Sequence, residues 1–441
     1  MKKRNISIAI ITVTVISLLL ILAFFTVTHG NTTVDENGLK WYYTVNNGKA
    51  YDVYLYSGTP GTTLTVPSTL DGYPVVGIRG AQTSVATGTS NGKNILNNNS
   101  YNYTIRHVVI PETVTSIGAN TFSNFCGLEE INIPDEVTTI GGYAFYNCNN
   151  ASNEIIIPDK TISVGQYAFY QCHNVSGINI GDGLTSIESY TFGCGKAKSL
   201  TIGNKVTTIK SYAFGNSSGL EGTITIPDSV VTIQSNAFPT TLGGIEKIEI
   251  GKGLTTIPVG FFNNMTSLKE IDVSEDNTKL SSEDGVLFNK DKTNLMIYPH
   301  AKIMESYVVP NTVTSIDSNA FANTELNSVI LNEGLISIGT GAFTYSKISG
   351  NLVIPNSVTT IGASAFSYCK GLTGDLTIPD SVTNLGESAF RYCTGFDGVL
   401  TIGTGLTSIR NITFQQDSKF KKAIIGSGVT TISYAAFEGF S

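Results

Sequence analysis

The sequence predicts a β-rich solenoid carried behind one apolar N-terminal helix, and three observations predict it. A phenylalanine returns at one fixed offset in thirteen copies of a phrase that repeats every 22 to 24 residues or so. Before each copy, two apolar residues flank a third that is free to differ, the pattern of a short strand with one buried face. Gly is abundant (45 residues) and charged residues are scarce (14%), which suits turns and sheet better than helical surfaces.

The first element is the N-terminus. Lys2-Lys3-Arg4 precedes an uncharged stretch from Asn5 to Thr28 that contains Leu18-Leu19-Leu20-Ile21-Leu22. A signal-peptide core runs to about 7–15 apolar residues, whereas roughly 20 span a bilayer as a helix. Residues 1–30 therefore read as an uncleaved signal anchor, a transmembrane helix, in preference to a signal that is cleaved to release a secreted protein. The basic triplet keeps the N-terminus cytoplasmic and places the rest of the chain outside the cell.

Residues 31–104 read as a cap and a first repeat with an enlarged loop. Trp41-Tyr-Tyr-Thr-Val45 and Ala50-Tyr-Asp-Val-Tyr-Leu-Tyr56 flank Asn46-Asn47-Gly48-Lys49, a hairpin signal. Residues 80–104 are rich in Asn, Ser, Thr and Gly and lack the repeating phenylalanine, which makes them the loop.

From 105 to 441 the repeat dominates. Its clearest copies run Leu352-Val-Ile-Pro-Asn-Ser-Val-Thr-Thr-Ile-Gly-Ala-Ser-Ala-Phe366 and Leu376-Thr-Ile-Pro-Asp-Ser-Val-Thr-Asn-Leu-Gly-Glu-Ser-Ala-Phe390. Taking the Pro, or the Gly or Asn replacing it, as anchor, Phe follows at +11 in every copy from Phe122 to Phe437, and Ile, Val or Leu at +6 from Ile117 to Ile432. Pro lacks an amide donor and ends the first strand. Val-Thr-Thr-Ile supplies a second short extended piece, and Gly-x-x-Ala-Phe closes the coil as a tight, 3₁₀-like turn with Phe plugging the interior. One such coil cannot bury its apolar face alone, but a stack shares one core. At about 4.8 Å per coil, thirteen coils make a rod or arc on the order of 60 Å long.

The motif Ile-Pro-x-x-Val-Thr-x-Ile-Gly-x-x-Ala-Phe resembles the BspA-like branch of the leucine-rich-repeat family, over about Leu64 to Ser441. Leu64-Thr-Val-Pro-Ser-Thr-Leu-Asp-Gly-Tyr-Pro-Val-Val-Gly-Ile78 looks like the coil that comes after a capping hairpin. Residues 271–309, with Asp284-Gly-Val-Leu-Phe288 and Asn294-Leu-Met-Ile-Tyr-Pro299, look like the family's inserted hairpin. The resemblance implies adhesion or recognition at a cell surface and no common catalytic activity.

Little in the chain suggests chemistry. No basic stripe accompanies the net charge of −7, so nucleic acid is not an expected partner. The six cysteines fall on or next to one repeat position, three after the Phe, where a small buried thiol and an inter-coil disulfide both fit. His29, His107, His173 and His300 stand alone, without a triad or a metal set. Asp272, Ser274, Asp276 and Glu283 have the spacing of a calcium loop, but Asn277 stands where Gly is required and no helices flank it. No phosphate loop or dinucleotide fingerprint appears. No cofactor, metal or catalytic residue is expected, and the chain reads as a protein other than an enzyme.

Two tyrosine columns stand out. Tyr143, Tyr167, Tyr190 and Tyr212 lie two residues before the Phe in four successive coils, and Tyr345, Tyr368 and Tyr392 lie two after it in three more. Equal offsets in a solenoid become rows, so these seven are the candidate ligand-binding residues; stacking that merely steadies the coils is the competing explanation. A second row, two before the anchor, runs from Asn132 and Ile156 to Thr377 and Thr401 along the strand face. The expected function is a membrane-anchored cell-surface protein that recognises a host or neighbouring-cell protein or glycan. A stalk or envelope scaffold without a ligand is the alternative, and a tethered hydrolase would need a catalytic domain the sequence lacks.

Overall fold

The computed structural model describes residues 30–81, 89, 92–239, 241–258, 260–417 and 419–440. The expected transmembrane helix at 1–30 lies outside them except for Gly30; among the described residues no helix is long and apolar enough to cross a membrane. Those residues form a β-solenoid whose coils run through two tracks of short parallel strands, interrupted in places, and one turn.

The first track is built from triplets that precede the anchors. Ile155–Ile157 pairs in parallel with Gly177–Ile180, and that strand with Ser199–Thr201; Glu221–Ile226 pairs with Gly244–Ile250, and that with Glu270–Val273. The second track is the Thr-Ile pair of each phrase: Ile117 lies opposite Ile140 and Ile140 opposite Val164, and later Ile316, Ile338, Ile361 and Leu385 continue in one row. Each of these side chains is buried, so register is fixed by the apolar pattern, because a one-residue slip would expose the row. Beside it runs a threonine column whose hydroxyls donate to the coil before, as Thr138 Oγ1 does to Thr115 O at 3.0 Å and Thr207 Oγ1 to Thr185 O at 3.0 Å.

The turn around the Phe accounts for its own backbone groups. Around Phe145, alternate amides bond within the turn (Ala144 N to Gly141 O, Tyr146 N to Tyr143 O, Cys148 N to Phe145 O). The amides between them reach the following coil (Tyr143 N to Gln166 O, Phe145 N to Ala168 O, Asn147 N to Tyr170 O). The expected 3₁₀-like run is therefore not a continuous one. Left-handed residues interrupt it: the position two before the Phe has positive φ in all thirteen coils, from Asn120 (φ 60) through Tyr143 (φ 58) to Ala435 (φ 52).

The phenylalanines stack face to face along the interior. Phe145 to Phe169 is 5.2 Å between ring centroids, Phe169 to Phe192 is 5.4 Å, and Phe343 to Phe366 is 4.9 Å, with planes within 7° of parallel. The residue three after the Phe closes the same layer. Cys148 Sγ donates to Phe122 O (3.3 Å), Cys172 Sγ to Phe145 O (3.2 Å), Ser217 Oγ to Phe192 O (2.8 Å), Cys369 Sγ to Phe343 O (2.9 Å) and Cys393 Sγ to Phe366 O (3.0 Å). All six thiols are buried and free. The column thus calls for a small donor aimed at the previous coil's Phe carbonyl, which explains why Ser and Cys exchange there. Cys172→Ser should accordingly move the urea midpoint by the equivalent of no more than about 1 kcal/mol; a loss of several would show that the sulfur itself is required.

The N-terminal end is covered by an antiparallel sheet of Asn31–Val34, Lys40–Asn46 and Lys49–Ser57, whose last strand joins the second track through Val53 opposite Ile78. Asn47 (φ 47) and Gly48 (φ 69) make the tight turn with both residues left-handed, the geometry an Asn-Gly pair favours. Trp41 and Tyr43 are buried beneath the first coils; the Trp41 indole donates to Asp35 Oδ2 (2.8 Å) and the Tyr43 hydroxyl to Asp71.

Between Val273 and Tyr307 the repeat is replaced by an antiparallel meander of Leu280–Glu283, Val286–Asn289 and Asn294–Ile297. Pro258 explains where the second track stops. The equivalent amide donates to the coil before in other coils, as Gly165 N does to Ile140 O (2.8 Å) and Gln234 N to Ile209 O (2.9 Å), and proline has none to give. The track resumes when Leu295 pairs with Ile316, and Tyr298 takes the place of the phenylalanine, stacking on Phe321 at 5.1 Å. The apolar core is accordingly in two blocks that meet at the meander, Leu287 facing one and Val286 and Phe288 the other.

Candidate functional site

The structure brings the seven tyrosines together as two ladders. Tyr143, Tyr167, Tyr190 and Tyr212 stack at 4.8, 4.9 and 5.0 Å with planes 14°, 4° and 3° apart. Tyr345, Tyr368 and Tyr392 stack at 4.5 and 4.7 Å. Stacking covers most ring faces, and Asn236 Nδ2 donates to the Tyr212 hydroxyl at 3.4 Å. Tyr212 and Tyr345 are exposed and the other five are half-buried.

Sequence offsets missed part of the first ladder. Tyr146 and Tyr170, one residue after the Phe, stand beside it, with Tyr143 to Tyr146 at 5.4 Å and Tyr167 to Tyr170 edge-on at 5.5 Å. Only these two coils carry Tyr at that offset, too few to form a column in the sequence, although their adjacency was a signal. Asn216 Nδ2 donates to the Tyr170 hydroxyl at 2.8 Å. Burial, and then the neighbouring phenols, push the hydroxyls of Tyr143, Tyr146 and Tyr167 above the usual tyrosine value, so each keeps its proton as a donor at neutral pH.

Backbone geometry sharpens the meaning of the ladders. All seven tyrosines have left-handed φ, between 56° and 62°. Asn and Gly adopt that region readily; they fill the first ladder's position in other coils at Asn120, Asn236, Gly260 and Asn319, and Asn fills the second ladder's at Asn124, Asn147 and Asn323. For a bulky side chain it costs on the order of 1–2 kcal/mol. An aromatic pair returns about 0.5–1.5 kcal/mol beyond area burial. Stacking therefore roughly offsets the backbone cost and leaves little net stability to explain a run of tyrosines.

The strand-face row is exposed in part by apolar residues: Ile156 is 54% exposed, Ile330 52% and Val353 64%. Elsewhere the face turns charged, where Lys247 lies among Glu249, Glu270 and Asp272 at 3.3, 2.9 and 3.7 Å. The calcium-like spacing does not converge. Asp272 faces Lys247, Glu283 pairs with Lys292 at 3.1 Å, and the buried Asn277 spends its amide on Gly251 O and Leu254 O. Among the described residues no group of three or more His, Cys, Asp or Glu is placed to hold a metal. His107 lies 3.7 Å from Glu129, exposed and without a nucleophile, and His300 is buried with its basicity lowered by burial.

Comparison with known proteins adds a family. Residues 93–221, 193–290, 296–394 and 349–441 match the model of the BspA type leucine rich repeat region, in six copies. Among solved structures, a leucine rich cell surface protein from Faecalibacterium prausnitzii A2-165 superposes with a TM-score of 0.50 at 24% identity, over 93% of this chain and 98% of that one. The pneumococcal vaccine antigen PcpA gives 0.49 at 23% identity, over 91% and 87% of the two chains. A leucine-rich repeat protein from Bacteroides ovatus ATCC 8483 gives 0.49 at 20%, over 88% and 99%. No curated protein matches the chain.

Proposed function

The chain belongs to the BspA-type leucine-rich-repeat family, and from that premise we propose that it is a cell-surface recognition protein whose tyrosine ladders contact a protein or glycan on a host or neighbouring cell. One observation carries the reading: seven tyrosines occupy left-handed positions that Asn or Gly would fill at lower backbone cost. A residue kept against its backbone preference, at little net gain in stability, is selected for something else. Tyrosine offers a large amphipathic contact area for two side-chain torsions, a property of recognition surfaces. In this reading residues 1–30 tether the solenoid to the membrane, and the coils act as a binding scaffold and not as an enzyme.

The test replaces Tyr143, Tyr167, Tyr190 and Tyr212 together with Asn. Unfolding midpoints should shift by the equivalent of no more than about 1 kcal/mol per site, since Asn fits the backbone. Attachment of the full-length protein to immobilised matrix proteins, mucins or cells should fall by at least about tenfold. Unchanged attachment by a folded variant would support a ligand-free stalk instead.

A further inference from the structure

The two ladders differ in charge, and the difference names a ligand for the second. Lys370 Nζ lies 5.7 Å from the centre of the Tyr368 ring, and the Arg391 guanidinium carbon lies 5.0 Å from that of Tyr392. Neither cation makes an ion pair among the described residues, whereas Lys347, a coil earlier in the same column as Lys370, is taken up by Glu325 at 2.6 Å. Arg391 gives its Nε to Gln415 Oε1 at 2.7 Å, and Gln415 in turn occupies Glu438, so the carboxylate nearest along this chain of bonds is already engaged. That leaves the paired terminal nitrogens of Arg391, a planar fork suited to a carboxylate.

We propose that Tyr345, Tyr368 and Tyr392, with Lys370 and Arg391, form a site for an acidic glycan, uronate carboxylates lying at the two cations and neighbouring sugar hydroxyls meeting the row of phenols. The proposal rests on the recognition reading above and assigns it a ligand class. Spacing disfavours an extended peptide. The rings repeat at 4.5 and 4.7 Å, while side chains on one face of a strand repeat at roughly 6.6 Å and fall out of step with them. The net charge of −7 opposes loose capture of long polyanions, so the site favours a short acidic stretch held by contact.

The purified full-length chain should bind tetragalacturonate, and its fully methyl-esterified form at least about tenfold more weakly, the scale of one charge-assisted pair. Lys370→Thr with Arg391→Ser, residues that neighbouring coils carry at those offsets as Thr394 and Ser367, should lose the same factor. Lys198→Thr, which removes an exposed cation paired with Glu221 in the other half of the solenoid, should leave this binding unchanged. Equal binding of the esterified sugar, no binding of tetragalacturonate, or tighter binding of tetraglutamate would overturn the proposal. The esterification comparison uses the unaltered chain and decides the matter even if the double variant unfolds. Loss of cell attachment on ladder substitution, without uronate binding, would overturn the ligand class and leave the recognition reading standing.

Discussion

Replacing Phe343 with alanine should cost about 3–5 kcal/mol, the range for deleting a buried aromatic ring. The ring is fully buried and stacks on both sides, 4.6 Å from Phe321 and 4.9 Å from Phe366. Its layer is narrow, and the coils above and below are held at strand spacing by both tracks, so the void has little room to collapse. In a solenoid each coil touches only its neighbours, so the damage should be local in space and divide the array. Hydrogen exchange should then show lost protection centred on residues 315–361, with the N-terminal cap unaffected. Phe437→Ala is the internal comparison: that ring is only half-buried and stacks on one Phe of the ladder, Phe414, at 5.5 Å, and its loss should cost clearly less. Equal costs at the two positions would mean that stacking along the ladder is not what holds the coils.

Asp417→Ser should stabilise the protein at neutral pH. Asp417 lies three after Phe414, in the column where other coils place a thiol or hydroxyl that donates to the preceding Phe carbonyl. It is 1% exposed, and neither carboxylate oxygen has a hydrogen bond of good geometry. Burial, only partly relieved by the Cys393 amide, pushes its pKa from 3.8 up to about 9. The titratable group facing it is the Cys393 thiol, itself raised by burial and then by Asp417.

Because the folded pKa lies above the unfolded one, the folded state holds a proton that the unfolded state releases. Stability is therefore complete below the unfolded value and falls as pH rises from about 4 toward about 9. Ser, which already serves at Ser217, restores the donor without the charge. The gain at pH 7.5 should be at least about 2 kcal/mol in the final coils, read as slower hydrogen exchange over residues 399–440 after correction for intrinsic rates. The difference should shrink at pH 4.5. A variant no more protected than the parent at pH 7.5 would mean that the carboxylate finds a partner in solution.

The way a solenoid is built decides how much of it is legible in one dimension. Equal offsets become rows, so the Phe column, the Thr-Ile track and both tyrosine ladders are visible in the sequence. Side chains that act once, or through the backbone, were not. Tyr298 replaces a phenylalanine, but the meander shifts it out of the repeat's spacing. The left-handed backbone beneath the tyrosines is announced only by Asn and Gly at the same offset in other coils, and tyrosine itself carries no such signal. Lys370 and Arg391 stand in different columns of adjacent coils and make no stripe along the sequence. Asp417 looks like an ordinary surface acid until its column is known to face inward.

On the proposed reading the tyrosines serve contact rather than stability. It is tested most directly by probing one ligand array, carrying glycans and cell-surface proteins, with the full-length chain and with a variant in which all seven ladder tyrosines are Asn. The parent should bind a defined set of ligands, and the variant, folded and of similar stability, should bind none of them. A variant that keeps the same ligands, or one that unfolds because the ladders were holding the coils, would contradict that reading.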